Sequence, residues 1–139
     1  MKRYLGVFVL ATMLLIPVTA FAADPLPAGF IALSQEEMTW DEAKTFCEQQ
    51  GGSLPLIDGK KSRRTVRSRL KPPIDGFGTG WAPWPAGLPS ESYWSGSEVI
   101  GPRPVESWAI GHDKWSHIIA YQRRQTAPLR VLCVPPANE

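Results

Sequence analysis

The chain has 139 residues, 43% of them hydrophobic and 20% charged, with a formal net charge of +2. That is one domain's worth of sequence, large enough for a single core and small enough for a cross-link to matter. A low-hydrophobicity disordered chain is excluded.

Lys2 and Arg3 precede an apolar stretch from Tyr4 to about Val18, followed by Ala20-Phe21-Ala22. This is the three-part layout of a secretory signal peptide over residues 1–22, cleaved after Ala22. An uncleaved anchor is disfavoured, because the run is shorter than the ~20 residues that span a bilayer and contains Pro17. Without the leader, basic and acidic side chains balance, so nucleic acid is a poor partner. Residues 23–139 then form a single domain with its core at about 30–134, periplasmic or secreted.

Gly29–Leu33 suits a first strand. The next element is the best signalled in the chain: Thr39 with Glu42 forms a capping box, Met38 can staple onto Ala43, and Trp40, Ala43, Phe46 and Cys47 share one helical face. Gly51 ends this helix. A second helix is predicted over 59–71, with Val66 and Leu70 inward and Lys60, Lys61, Arg63, Arg64, Arg67, Arg69 and Lys71 outward as a polyanion contact. Residues 24–58 hold seven acids, so this basic run is also readable as a solvated face offset by its acidic neighbour.

Residues 72–92 carry five prolines and four glycines, too many for regular helix or strand, together with Phe77, Trp81 and Trp84. A segment of this kind in a compact domain is usually functional or mobile. Gly76–Gly80 lacks the lysine and the strand-to-helix setting of a phosphate loop. Strands are predicted at 92–95, 106–110, 115–121 and 129–134, the second and third joined through Gly111–Lys114. Alternation puts Trp115, His117, Ile119 and Tyr121 on one face. Trp40, Trp94 and Trp108, each within a regular element, are expected in the core, whereas Trp81 and Trp84 are readable equally as contact surface or as satellite core.

Two cysteines, Cys47 on the helix and Cys133 in the last strand, in an exported chain point to one disulfide. The alternatives are two buried thiols or a partial metal site, and two cysteines make a poor zinc set. His112, Asp113, Ser116 and His117 can be assembled on paper into an acid, base and nucleophile, but no nucleophile elbow frames the serine.

The Thr39–Cys47 helix, Leu54-Pro55, Tyr93-Trp94-Ser95, Ser107-Trp108 and Arg130–Val134, in that order, resemble the C-type-lectin-like superfamily, particularly its bacterial branch with Lcl C-terminal-like domains. The resemblance implies an α+β fold: two helices, a small mixed and mostly antiparallel sheet, and a long irregular loop that carries ligand binding. It also implies a non-enzymatic domain that recognises a glycan, envelope polymer or protein, with Phe77, Trp81, Trp84 and Tyr93 as contacts. The sugar-site motifs Glu-Pro-Asn, Gln-Pro-Asp and Trp-Asn-Asp are missing, and the 72–106 carboxylates are widely spread. Calcium requires six to eight oxygen ligands, so binding is expected to need no metal or cofactor. The formylglycine-generating relatives use catalytic cysteines, which a bridge would consume. The rival function is a structural or accessory envelope subunit that meets an acidic partner, an anionic polymer or lipid headgroups through the basic helix.

Overall fold

A computed structural model describes residues 26–65, 72–101 and 105–136. The leader segment, Val66, Arg67, Arg69, Leu70 and Lys71 lie outside the described residues. In chain order the elements are β1 (Ala32–Leu33), α1 (Trp40–Gln49), β2 (Ser62–Arg63), β3 (Pro73–Ile74), β4 (Gly78–Thr79), β5 (Tyr93–Val99), β6 (Glu106–His112), β7 (Ile118–Arg124) and β8 (Leu132–Cys133). Strands β2-β5-β6-β7 form the main sheet, while β1 pairs with β8 and β3 with β4.

Helix α1 begins as its sequence dictates. Thr39 Oγ1 accepts from the Glu42 amide, and the Glu42 carboxylate accepts from the Thr39 amide at 2.9 Å, so two otherwise orphaned donors are satisfied reciprocally. Trp40, Ala43 and Cys47 are buried, and Gly51 follows in the left-handed region at φ 77°. Cys47 is bonded to Cys133 with a Cα–Cα distance of 5.4 Å. The bridge ties the helix to β8 across 86 residues and suits an oxidising environment, where such bonds persist.

The two-helix α+β expectation is overturned: strand is the predominant regular structure among the described residues, with α1 the only helix among them. Where the second helix was predicted, Asp58 and Gly59 take positive φ and turn the chain, with the Lys60 amide donating to the Ile57 carbonyl. The chain then runs extended beside β5 in parallel register, Ser62 opposite Glu98 and Arg63 opposite Val99. Glu98 and Ile100 amides donate to the Lys61 and Arg63 carbonyls at 2.8 Å, and the buried Trp108 indole donates to Arg63 as well. These long-range bonds outweigh a weak helical periodicity. The long loop is also less irregular than expected, since β3 and β4 form a small hairpin inside it. Gly76 turns that hairpin at φ 77°, where a Cβ would lie 2.6 Å from the Phe30 ring.

Strands β5, β6 and β7 form an antiparallel meander. Its register slips between Trp94 and Glu98, where two buried serines secure the bulge. Ser95 Oγ donates to the Trp108 carbonyl and Ser97 Oγ to that of Lys60, both at 2.6 Å. Because successive side chains leave a strand on opposite faces, Tyr93 and Trp94 enter different clusters. Tyr93, Trp108, Ile110 and Ile118 pack against Phe30, which precedes β1, and against Ile74, Phe77 and Leu88 from the loop region. Trp94 and Ala109 pack against Trp40, Ala43, Cys47 and Val131. The sheet thus has a helix-and-disulfide face and a loop face.

Candidate functional site

The loop face ends at the β6–β7 turn, which spans 113–117 and is longer than the sequence pattern suggests. Asp113 organises it: Oδ1 accepts from the Trp115 amide at 2.9 Å and the His117 amide at 2.8 Å, while its own amide donates to the His117 carbonyl at 3.0 Å. An aspartate closing a turn on amides two and four residues ahead leaves the intervening side chains projecting outward. Trp115 is one of them, 65% exposed, with the Lys114 ammonium 4.4 Å from its ring centre.

The 81–84 segment is zipped onto this hairpin. The Trp81 amide donates to the Ile118 carbonyl at 2.7 Å, the Ile118 amide to Ala82 at 2.8 Å, and the Trp84 amide to Ser116 at 2.8 Å. This pairing holds Trp81 at φ 64°, a left-handed conformation rare for so bulky a residue, with the residue 41% exposed. Strain of this kind persists only where the surroundings over-determine it, and it concentrates at functional positions. Trp81 and Trp115 line one open cleft of about 350 Å³ together with Pro72, Ile74 and Ile119, and Asp113 is its one charged lining residue among the described residues.

The four expected contact residues therefore separate. Trp81 faces solvent, as a contact residue would. Phe77 is 5% exposed, edge-on to Phe30 at 5.0 Å, and belongs to the core. Tyr93 is fully buried: its hydroxyl donates to the Pro89 carbonyl at 2.8 Å, and burial pushes its pKa up to about 12, with Arg130 opposing and Glu91 adding to the rise. Trp84 is half-buried, stacked on Tyr93 at 6.1 Å, with its indole donating to the Leu88 carbonyl. These three side chains fold back because the sheet's loop face needs a cover. Trp115, which the strand pattern places beside His117 without marking it as a contact, completes the exposed pair. Its signal was Asp113, whose turn-closing side chain lengthens the turn and frees the tryptophan.

The basic run is reorganised too. Arg63 is 13% exposed in its side chain and paired with Asp58 at 3.1 Å, so it is spent internally, whereas Lys60, Lys61 and Arg64 are exposed. Arg67, Arg69 and Lys71 lie outside the described residues.

Electrostatically, Asp113 is the centre of the site. Burial raises its pKa, but the amides of His117 and Trp115 and the nearby His117 ring outweigh burial and hold the carboxyl below its ordinary value. Its Oδ2, shut from solvent, has no hydrogen bond among the described residues and faces His117 Nδ1 at 3.4 Å. His112 directs its ring nitrogens at the Asp113 and Ser90 carbonyls, 3.2 Å each. Among the described residues, Ser116 Oγ has no hydrogen bond to either ring, so the nucleophile–base contact of a hydrolytic relay is not assembled. No three His, Cys, Asp or Glu side chains among the described residues group to hold a metal.

What the arrangement can do is present two indoles on a fixed backbone. No protein-family model, curated protein or solved structure matches this chain.

Proposed function

We propose that this is an exported, non-enzymatic binding domain, periplasmic or secreted, which recognises a glycan, an envelope polymer or a protein through its Trp81–Trp115 face and without calcium. The observation that carries the reading is the pair itself. Of six tryptophans, Trp40, Trp94 and Trp108 are buried and Trp84 is half-buried, whereas Trp81 and Trp115 are exposed around one cleft. Exposing two indoles is unfavourable in water unless something covers them, and tryptophan is enriched among residues that dominate binding energy. Their backbone is already ordered by the loop-to-hairpin bonds, so little conformational entropy remains to be lost on binding. The calcium-free reading rests on oxygen supply: among the described residues Asp113 is the cleft's one carboxylate, and its accessible bonding capacity is taken by two amides.

The experiment is a glycan array run beside a pull-down from an envelope fraction, followed by titration of the best partner against wild type, Trp81→Ala and Trp115→Ala, with and without chelator. Each substitution is expected to cost about 2 kcal/mol of binding, and chelator to change nothing. Binding by both variants equal to that of wild type would remove the proposal.

A further inference from the structure

Strand β7 reads Ile118-Ile119-Ala120-Tyr121-Gln122-Arg123-Arg124 and lies at an edge of the main sheet. Its register with β6 is unbroken from Ile118 to Arg124, so alternate residues turn both backbone groups toward β6 and the others turn them away. Ile118 is of the second kind, because its amide and carbonyl bond Ala82 and Trp81 of the loop. Ala120 and Gln122 follow it at spacing two. Neither makes a backbone hydrogen bond on that outer side among the described residues. Pairing along the edge stops at Trp81, whose left-handed φ takes the chain away before Gly80 can lie opposite Ala120.

An open edge is a template for another chain, and natural edges are guarded by charge, proline or a cover. From Ile118 to Gln122 there is neither charge nor proline, and the cover ends at Ile118. The gap adjoins the tryptophan cleft, since Ile119 and Ala120 line that cleft with Trp81, Trp115 and Ile74. Its other end is basic. Gln122 and Arg124 border a second cleft with Arg64, where Glu106 is the one carboxylate among the described residues. Arg64, Arg123 and Arg124 are exposed and make no ion pair among the described residues.

We infer that β7 takes an extended segment of a partner protein as an added antiparallel strand, with an apolar side chain opposite Ala120 and an acidic one opposite Gln122. This rests on the proposed binding role of the Trp81–Trp115 face and names its ligand class. The direction follows the loop, which already pairs antiparallel at Pro83 and His117. Side chains directly opposite one another across a ladder share a face, and diagonal neighbours are within reach of long ones. The residue opposite Ala120 therefore enters the cleft beside Trp81, and the one opposite Gln122 meets Arg124. Because the strands run in opposite directions, the segment reads acidic-x-apolar from its N-terminus. Backbone bonds supply affinity and alternate side chains specificity, and a saccharide offers no peptide groups to continue the ladder. A second copy of this chain does not fit: self-pairing about Ala120 or Tyr121 sets Gln122 or Arg124 opposite Ile118, where the loop lies, and self-pairing about Gln122 crowds four arginines together.

The test is NMR titration of the 15N-labelled protein with a capped heptapeptide, acetyl-Thr-Val-Glu-Thr-Leu-Val-Thr-amide, up to about 1 mM. In the free protein the Ala120 and Gln122 amides should exchange about tenfold or more faster than those of Ile119 and Tyr121, which face β6. Equal protection, or protection that grows with protein concentration, overturns the inference. The peptide should shift and slow both edge amides. Methylating its glutamate and leucine amide nitrogens removes two ladder donors and should weaken binding about tenfold or more. Lysine in place of glutamate should weaken it as well, and Arg124→Glu should reverse that preference. Edge amides unmoved by the peptide, or a methylated peptide that binds as well, overturn the added strand. Trp81→Ala and Trp115→Ala separate this from the binding reading. Partner binding that needs both tryptophans while the edge amides stay silent removes the strand alone, and edge binding untouched by either substitution removes the tryptophan reading alone.

Discussion

The two faces of the sheet use the same kind of residue to opposite ends. On the helix face, Trp40 and Trp94 are buried and their indoles donate across the core, Trp40 to the Ser95 carbonyl and Trp94 to that of Met38. A disulfide lies beside them. On the loop face, Trp108 is buried with its indole donating to the Arg63 carbonyl, but Trp84 is half-buried and Trp81 and Trp115 are exposed, and the cover is held by backbone bonds between a loop and a turn. Both tryptophans on the helix face become core, because a helix and a covalent tie close over them. A tryptophan becomes surface where the chain laid on the sheet is too rich in proline and glycine to close completely.

The strongest way to break the contrast is to cut the tie. A closed loop of 86 residues is worth roughly 4 to 5 kcal/mol in the chain-entropy model, so Cys133→Ser, or reduction, should lower stability by up to that amount. Urea unfolding with and without reductant measures it, and unchanged midpoints would show that the bridge is idle. Next come the tryptophans. Trp94→Ala should cost about 3 to 5 kcal/mol as a fully buried side chain, while Trp81→Ala should cost about 1 kcal/mol or less in stability and show itself in binding instead. Equal destabilisation would mean that the faces do not differ in kind.

Smaller effects sharpen the picture. Thr39→Ala removes one arm of the capping box and should cost about 1 kcal/mol, readable in the same unfolding experiment. The carboxyl of Asp113 is held below its ordinary value, so its contribution is present above the usual carboxylate range and lost as pH falls through the folded value. Asp113→Asn should flatten that acid limb. A variant as acid-sensitive as wild type would remove Asp113 from the turn's account.

Much of the helix face was readable along the chain. Thr39, Glu42 and Gly51 are local signals that act within one turn of helix, and Cys47 with Cys133 needed only parity and the expectation of an oxidising environment. The β6–β7 hairpin was readable as well, with ends displaced by two or three residues where Asp113 lengthened the turn. Failure came where distance in sequence was large. The 59–71 segment has a passable helical pattern, yet Lys61 and Arg63 offer their carbonyls to β5, some forty residues away in the chain.

The aromatic site shows the same division. Composition alone marked 72–92 as a loop with tryptophans to place, and alternation set Trp115 near His117. Which indole meets water could not be read there, because exposure depends on what the opposite strand leaves uncovered. The sequence by itself determined the capped helix, the strand-rich second half and the pairing of its two cysteines, all governed by local pattern or by count. Only the tertiary structure decided that Phe77, Trp84 and Tyr93 roof the sheet while Trp81 and Trp115 stand outside it. Burial is a property of surfaces brought together, and the residues that meet at this cleft are drawn from segments more than thirty positions apart.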